Sequence, residues 1–344
     1  MIKSEPDRKR SKDLGIDLKT IKLFEKIAKA VAPPPIMTVS QWADAERRLS
    51  AESSAEAGRW NTDRAPYQRE ILDAVNNPEC EEVVIMSSAQ VGKTELILNT
   101  IGYYIDYDPA PILVVNPTIE MAQTFSKDRL APMIRDTPAL RGKVRDAKSK
   151  NSGNTILHKQ FPGGHITMAG AYSPVSLASR PIRIALMDEI DRYPASAGTE
   201  GNPIKLAEKR TTTFWNRKKI KVSTPTIKGQ SQIEAEFLSG SQEEWCVPCP
   251  CCGKYQSYEW GRIHFSDVTM ECKFCGEHIS EVDWKQQKGK YIAKFPDRKR
   301  KRSFHLNELA SPWKHWEEII REFREAQKEL KENGDINKMK TWIN

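Results

Sequence analysis

The chain has 344 residues, 38% of them hydrophobic, with 54 lysines and arginines against 46 aspartates and glutamates, a formal net charge of +8. That length exceeds one minimal domain, and the apolar fraction suffices for a buried core. No run of about 18 apolar residues occurs, which excludes a helical membrane span, and the polar, basic start Met1–Asp13 is not a signal peptide.

In chain order, residues 1–37 form a basic N-terminal arm, with one helix predicted over Leu18–Val31 and stopped by Pro33-Pro34-Pro35. Thr38 or Ser40 caps a short helix carrying Val39, Trp42 and Ala43. Between residues 60 and 240, strands are predicted at Glu82–Ser87, Ile112–Asn116, His165–Ala169, Ile182–Asp188 and Lys219–Ser223. Val83–Met86, Ile112–Val115 and Ile184–Met187 are apolar at every position, which suits central strands of a parallel sheet covered on both faces. Alternation with helical stretches makes the fold α/β, a mostly parallel sheet flanked by helices. Residues 245–280 concentrate cysteine, glycine and aromatics. Lys294–Arg302 holds six positive charges against one negative. Trp316, Ile319, Ile320 and Phe323 mark an amphipathic helix over Trp313–Leu330.

The segment Ser87-Ser88-Ala89-Gln90-Val91-Gly92-Lys93-Thr94 follows a strand and opens a helix, as a Walker A loop does. Backbone N–H groups of Ser88, Ala89, Gln90, Val91 and Gly92 would line a positive concavity for phosphate. Lys93 would reach the β- and γ-phosphates of ATP, and the Thr94 hydroxyl would hold Mg²⁺. Ser87 stands where the motif has glycine, a position expected to need a tight turn; a chance Gly-Lys-Thr at a helix start is the alternative. Ile184–Met187 then runs into Asp188-Glu189, the form of a Walker B strand. Asp188 would bind Mg²⁺ beside Thr94, and Glu189 would polarise the attacking water. Strand-end acids can also cap a helix, a role open to Asp191. The two motifs together point to an ATPase.

Pro66-Tyr67-Gln68 lies where an adenine-reading glutamine and a stacking aromatic would sit; Tyr67 as a core residue is the competing assignment. Ser223-Thr224 ends a strand and suits γ-phosphate sensing and coupling, or a plain strand exit before Pro225. Arg180 is the candidate arginine finger, with Arg183, Arg135 and Arg141 as others. Cys249, Cys252, Cys272 and Cys275 form C-x2-C-x19-C-x2-C, the spacing of a structural zinc ribbon in a reducing, intracellular setting. Cys246 and Cys251 are spare, Cys251 offering an alternative register. Two basic stretches, Lys209–Lys219 with Phe214 and Trp215, and Arg298–Arg302, suit DNA contact or ordinary solvation, and the net positive charge carries the same two meanings.

These segments, with Gly58-Arg59-Trp60, Arg64–Glu70, Asn116-Pro117-Thr118, Asp128–Pro132, Pro248–Gly253 and Phe304–Pro312, resemble the large terminase subunit of tailed phages, of the lambda-type GpA family, from about Thr38 onward. The resemblance implies an ASCE-type P-loop packaging ATPase over 38–243, a zinc ribbon over 244–282, and a basic linker and helix over 283–344 leading toward a nuclease domain. It implies ATP, Mg²⁺ and Zn²⁺ as cofactors, and double-stranded DNA, a small terminase subunit and the portal of a procapsid as partners. A homo-oligomeric ring acting in the host cytoplasm is part of the same expectation. The chain stops about where the family's nuclease would begin, and no spaced carboxylate cluster follows the cysteines, so no cutting by this polypeptide alone is expected. A superfamily 2-like helicase or remodeller, and a zinc-ribbon DNA-binding scaffold with an inactive nucleotide site, are the alternatives.

Overall fold

The computed structural model describes residues 37–52, 54, 56–144, 154–178 and 180–343, together with 17, 19, 20 and 22–24 of the arm. Residues 19–20 and 22–24 are helical; the remainder of the Leu18–Val31 helix expected there lies outside the described residues. The chain divides into Met1–Met37 and Thr38–Asn344.

The larger unit is built on one ten-stranded sheet. Its strands are β1 (Glu82–Ser87), β2 (Ile112–Asn116), β3 (His158–Phe161), β4 (Gly164–Gly170), β5 (Ile184–Asp188), β6 (Lys218–Ser223), β7 (Glu243–Pro248), β8 (Tyr255–Ser257), β9 (Lys290–Ala293) and β10 (Lys301–Leu306). They run in the order β8-β7-β10-β1-β6-β5-β2-β4-β3, with β9 also paired to β7. From β7 to β4 every pairing is parallel, whereas β3, β8 and β9 pair antiparallel to their neighbours. All five strands expected from sequence form, with ends shifted by no more than two residues.

The all-apolar strands lie centrally because both of their faces are covered. Val84, Leu113, Val115, Ala185 and Met187 pack against Ile204 and Ala207 of α6 (Pro203–Lys209) and Ile233 and Phe237 of α7 (Gln232–Leu238). The alternate residues Val83, Ile85, Val114 and Leu186 are buried on the opposite face. Helix α1 (Val39–Glu46) starts at Thr38, which makes a reciprocal capping box with Gln41. Its Trp42 fills the space that Gly102 leaves on α3 (Lys93–Asp106) and donates to Asp106 Oδ2 at 2.7 Å. Helix α2 is Tyr67–Asn76, α4 is Ile119–Thr124, and α5 is Ala131–Asp136.

Residues 283–344 differ from a linker and helix. Two strands, β9 and β10, thread this stretch into the sheet, and β10 lies directly beside β1. The basic residues at the start of β10 meet carboxylates, Lys301 with Glu236 and Arg302 with Glu243 at 2.6 Å, as does Arg300 just before it, with Glu81. The helix after it, α8, spans Trp316–Asn333 and buries Trp316, Ile319 and Ile320, ending at Gly334 in the left-handed region. Trp313 precedes it. The cysteine segment carries a separate three-stranded sheet, Ile263–His264, Thr269–Glu271 and His278–Ser280, yet its first strand, β7, is part of the main sheet. No helix among the described residues is long and apolar enough to cross a membrane.

Candidate active site

The phosphate-loop segment leaves the carboxyl end of β1 and enters α3. Ser87 is the last residue of β1 and is not among the residues of positive φ. Glycine is therefore not required there. The left-handed positions are Gln90 (φ 59°) and Gly92 (φ 86°). Gly92 is needed twice over: its φ favours glycine, and a Cβ there would collide with Gln68 Nε2. Ser88 and Val91 are tied to neighbours. Ser88 N donates to Leu306 O of β10 at 3.1 Å, while Tyr67 Oη and Gln68 Nε2 donate to Val91 O at 3.2 and 3.3 Å. Ala89 and Gln90 are exposed at the tip. The Tyr67 ring is buried, edge-on to Trp245. Its burial fits the core assignment rather than a free stacking face, and Tyr67 and Gln68 brace the loop from beneath.

β5 ends one strand away from β1, with β6 between them. Three strand ends thus meet at one edge. Lys93 Nζ donates to Ser88 O at 3.2 Å and to Thr224 Oγ1 just beyond β6, and lies 3.6 Å from Glu189 Oε1 beyond β5. Burial pulls the Lys93 ammonium below its ordinary pKa, opposed by the charges of Glu189 and Asp188. Burial, with the neighbouring Glu189 charge, pushes the Asp188 carboxyl up to about 7. A cation placed beside Asp188 would favour its ionised form. The pair Asp188 and Glu189 beside a lysine and a helix N-terminus forms a donor set suited to a magnesium-bound triphosphate. Glu189 has φ 53° and ψ 50°, a left-handed conformation uncommon for a non-glycine residue and characteristic of functional sites.

Asp191 holds the segment after β5 in place. Its carboxylate accepts from Thr226 N and Oγ1, both at 2.9 Å, and from Ile233 N in the first turn of α7 at 2.7 Å. The helix-capping role open to this residue from sequence is the one it performs. Its own N–H donates to Ser223 Oγ at 3.2 Å, a link that sequence spacing does not reveal.

Arg180 is exposed, before the amino end of β5, with Nη1 3.4 Å from His158 Nε2 on the edge strand β3. It is at the opposite end of β5 from Asp188, so within one chain it does not join the site. Arg183 is engaged with Asp108 at 2.5 Å, and Arg135 with Glu52 and Asp136. In the basic stretch leading into β6, Arg217 pairs with Glu81 and Lys219 with Glu81 and Glu82, Lys218 donates to the carbonyls of Asn77 and Cys80, and Trp215 is 90% exposed.

Cys249, Cys252, Cys272 and Cys275 converge, their sulfurs all within 4.8 Å of one another. Cys249–Cys275 and Cys252–Cys272 are each 3.8 Å apart. Four thiolates about 2.3 Å from a tetrahedral zinc ion have sulfurs about 3.8 Å apart, so the geometry fits that ion in this register. Cys251 lies outside the cluster.

Residues 54–291 match the family model of the phage terminase large subunit gpA ATPase domain, well over half of the chain. The chain belongs to the phage terminase large subunit gpA family. Residues 301–344 match the gpA endonuclease domain model. Curated relatives are the terminase large subunits of Enterobacteria phage P21, 29% identical over 347 residues, and of Escherichia phage lambda, 28% identical over 346. The matches cover 91% and 90% of this chain and 52% of each relative, so the terminase chain spans about half the length of the curated relatives it matches. Among solved structures, it is similar to the large terminase ATPase domain of Thermus phage P74-26, at 12% identity, 85% of this chain, 97% of that chain and a TM-score of 0.44. An arginine-to-alanine mutant of that domain gives 13%, 80%, 94% and 0.44. The terminase family membership and the parallel sheet agree on a P-loop-like α/β fold. The endonuclease match begins at the first residue of β10, a strand that pairs directly with the loop-bearing β1.

Proposed function

We propose that this chain is the ATPase part of a viral genome-packaging motor, hydrolysing ATP to drive double-stranded DNA into a procapsid. The observation that carries the proposal is the convergence on Lys93. Its ammonium lies 3.6 Å from Glu189 and hydrogen-bonds Thr224, which brings the loop, the acid pair and the β6 exit to one point. β6 standing between the loop strand and the acid-bearing strand supports an ASCE-type core. ATP supplies the phosphoryl chemistry, with Mg²⁺ neutralising charge on its phosphates.

The chain's own groups act as follows. Amides of Ala89, Gln90, Val91, Gly92 and Lys93 point a helix N-terminus at phosphate oxygens, while the Ser88 amide anchors the start of the loop on Leu306 O. Lys93 neutralises charge on the β- and γ-phosphates, and Thr94 and Asp188 hold Mg²⁺. Glu189 takes the proton of the attacking water, its carboxylate oriented by Lys93 and by Arg192 at 3.8 Å. Ser223 and Thr224 couple γ-phosphate loss to α7 through Asp191. Arg180, remote in one chain, acts in trans on a neighbouring subunit of a homo-oligomeric ring. The four cysteines hold structural Zn²⁺ in a ribbon over 244–282, appended to an ATPase domain over 38–243. A small terminase subunit and the procapsid portal are the protein partners, in the host cytoplasm.

The test is DNA-stimulated ATP turnover by the purified chain. Glu189→Gln is expected to lower turnover about 100-fold or more, the usual contribution of a general base, while ATP still binds. Turnover by Glu189→Gln equal to the unmodified chain would sink the assignment.

A further inference from the structure

The small three-stranded sheet of the cysteine segment has two unlike faces. Ile263, Met270 and Ile279, one from each strand and paired across it, are buried. Side chains alternate along a strand, so His264, Glu271 and His278 share the opposite face, again one from each strand. Glu271 stands directly across from His278, and His264, paired with Thr269, is diagonal to Glu271. Each of the three is between 37% and 42% exposed.

These three side chains converge. One ligand atom from each lies within 4.8 Å of the other two. His264 Nε2 is 3.6 Å from Glu271 Oε2, too far for a hydrogen bond. Donors about 2.1 Å from a tetrahedral ion sit about 3.4 Å apart, close to that separation. The centroids of the His264 and His278 rings are 3.9 Å apart, so both imidazoles crowd the same point. His278 Nδ1 faces Thr269 Oγ1 at 3.4 Å and Asp267 Oδ2 at 4.0 Å, which leaves Nε2 as the donor for an ion. A carboxylate behind a ligating imidazole commonly orients such a ring. Arg262 also approaches Glu271, at 3.8 Å, but its shorter contact, 3.2 Å, is with Glu259. An ion can therefore take Glu271 without stranding that arginine.

We infer that His264, Glu271 and His278 form a second metal site, separate from the four cysteines, for a divalent late transition ion such as Zn²⁺. Two imidazoles and one carboxylate suit that class rather than Ca²⁺ or Mg²⁺, which take oxygen ligands. Three protein donors leave a position open to water, so this ion exchanges readily, unlike one enclosed by four thiolates. Its place in the chain gives it a role. Glu271 immediately precedes Cys272, and His278 lies just beyond Cys275. The ion thus ties together the two strands that lead into and out of the second cysteine pair.

Equilibrium dialysis of the full chain against Zn²⁺, after a chelating resin has stripped exchangeable ions, tests the site. The unmodified chain is expected to take up one more ion than the double variant His264→Ala, His278→Ala. Both rings lie on the face away from Ile263, Met270 and Ile279, so the double variant keeps its core. Glu271→Gln, which preserves shape, tests the site a second way. It should weaken the extra uptake about tenfold or more, at least the loss that follows removal of an outer-shell partner. Hydrogen exchange in Thr269–Glu271 and His278–Ser280 should slow with Zn²⁺ in the unmodified chain and not in the double variant. Equal uptake by the two chains overturns the inference. So does extra uptake that leaves exchange in those strands unchanged, because the ion is then held elsewhere.

Discussion

Lys221 is the position at which one substitution tests the energetics of this sheet most directly. It sits in β6 with no exposed side chain, its Nζ 2.5 Å from Glu208 of α6, 2.8 Å from Glu236 of α7 and 3.2 Å from Glu82 of β1. Burial alone would lower its pKa, but the charges of Glu82, Glu208 and Glu236 outweigh that and hold it above the ordinary lysine value. Lys221→Met keeps the apolar stem and removes the charge. Removing one partner of a buried ion pair costs about 3–5 kcal/mol, because the remaining charge is left uncompensated. Lys205 at 2.9 Å from Glu208, Lys219 at 3.2 Å from Glu82 and Lys301 beside Glu236 persist as second cations. The low end, about 3 kcal/mol, is therefore expected.

The loss depends on pH. Glu236 is held down to about 2, its burial outweighed by Lys221 and Lys301. A carboxylate whose folded pKa lies below its usual 4.5 stabilises the fold above that value and loses the contribution as pH falls toward 2. With Lys221 gone, Glu236 protonates nearer the usual value, and the gap between the two proteins narrows in acid. Urea denaturation followed by circular dichroism at about pH 7.5 and about pH 3 measures both. A difference below about 1 kcal/mol at the higher pH, or one of equal size at both, refutes the account.

Gly92→Ala should lose ATP binding and lower stability by about 1–2 kcal/mol, since alanine at φ 86° carries the left-handed penalty and its Cβ meets Gln68; equilibrium binding and urea melts measure the two effects. Elemental analysis should find one zinc per chain, lost in Cys272→Ser; retention of zinc by that variant would exclude the four-sulfur site.

Much of the site was legible because its chemistry is local. The run Val83–Met86 into Gly92-Lys93-Thr94 requires only neighbours in sequence, as does Ile184–Met187 into Asp188-Glu189. The cysteine register was legible for the same reason: two short turns, each closed by a glycine, Gly253 at φ 71° and Gly276 at φ 76°. The tight turn expected at Ser87 was misjudged for a geometric reason, since Ser87 is still extended strand and the left-handed positions fall later, at Gln90 and Gly92. β10 was not legible. Lys301-Arg302-Ser303-Phe304-His305-Leu306 reads as a basic run continuing into a mixed one, and its charges are neutralised by Glu236 and Glu243, nearly 60 or more positions away in sequence. Lys221, a full charge in a central strand, was included in a predicted strand without any sign of what would pair it. Spacing cannot show partners that only the folded sheet brings together.

Those same non-local pairs bear on how nucleotide turnover could reach the rest of the molecule. Under the coupling role proposed for Ser223 and Thr224, the two hydroxyls face different partners: Thr224 bonds Lys93, and Ser223 bonds the backbone of Asp191. Asp191 in turn holds Thr226 and the first turn of α7. Glu236, further along that helix, pairs with Lys301 of β10, and the end of β10 accepts a hydrogen bond from Ser88 in the phosphate loop. The loop thus touches both ends of one closed circuit, β6 to α7 to β10 and back. Under that role, a change at the γ-phosphate that frees Thr224 from Lys93 would reach α7 through Ser223 and Asp191, and would reach β10 through the pair of Glu236 with Lys301.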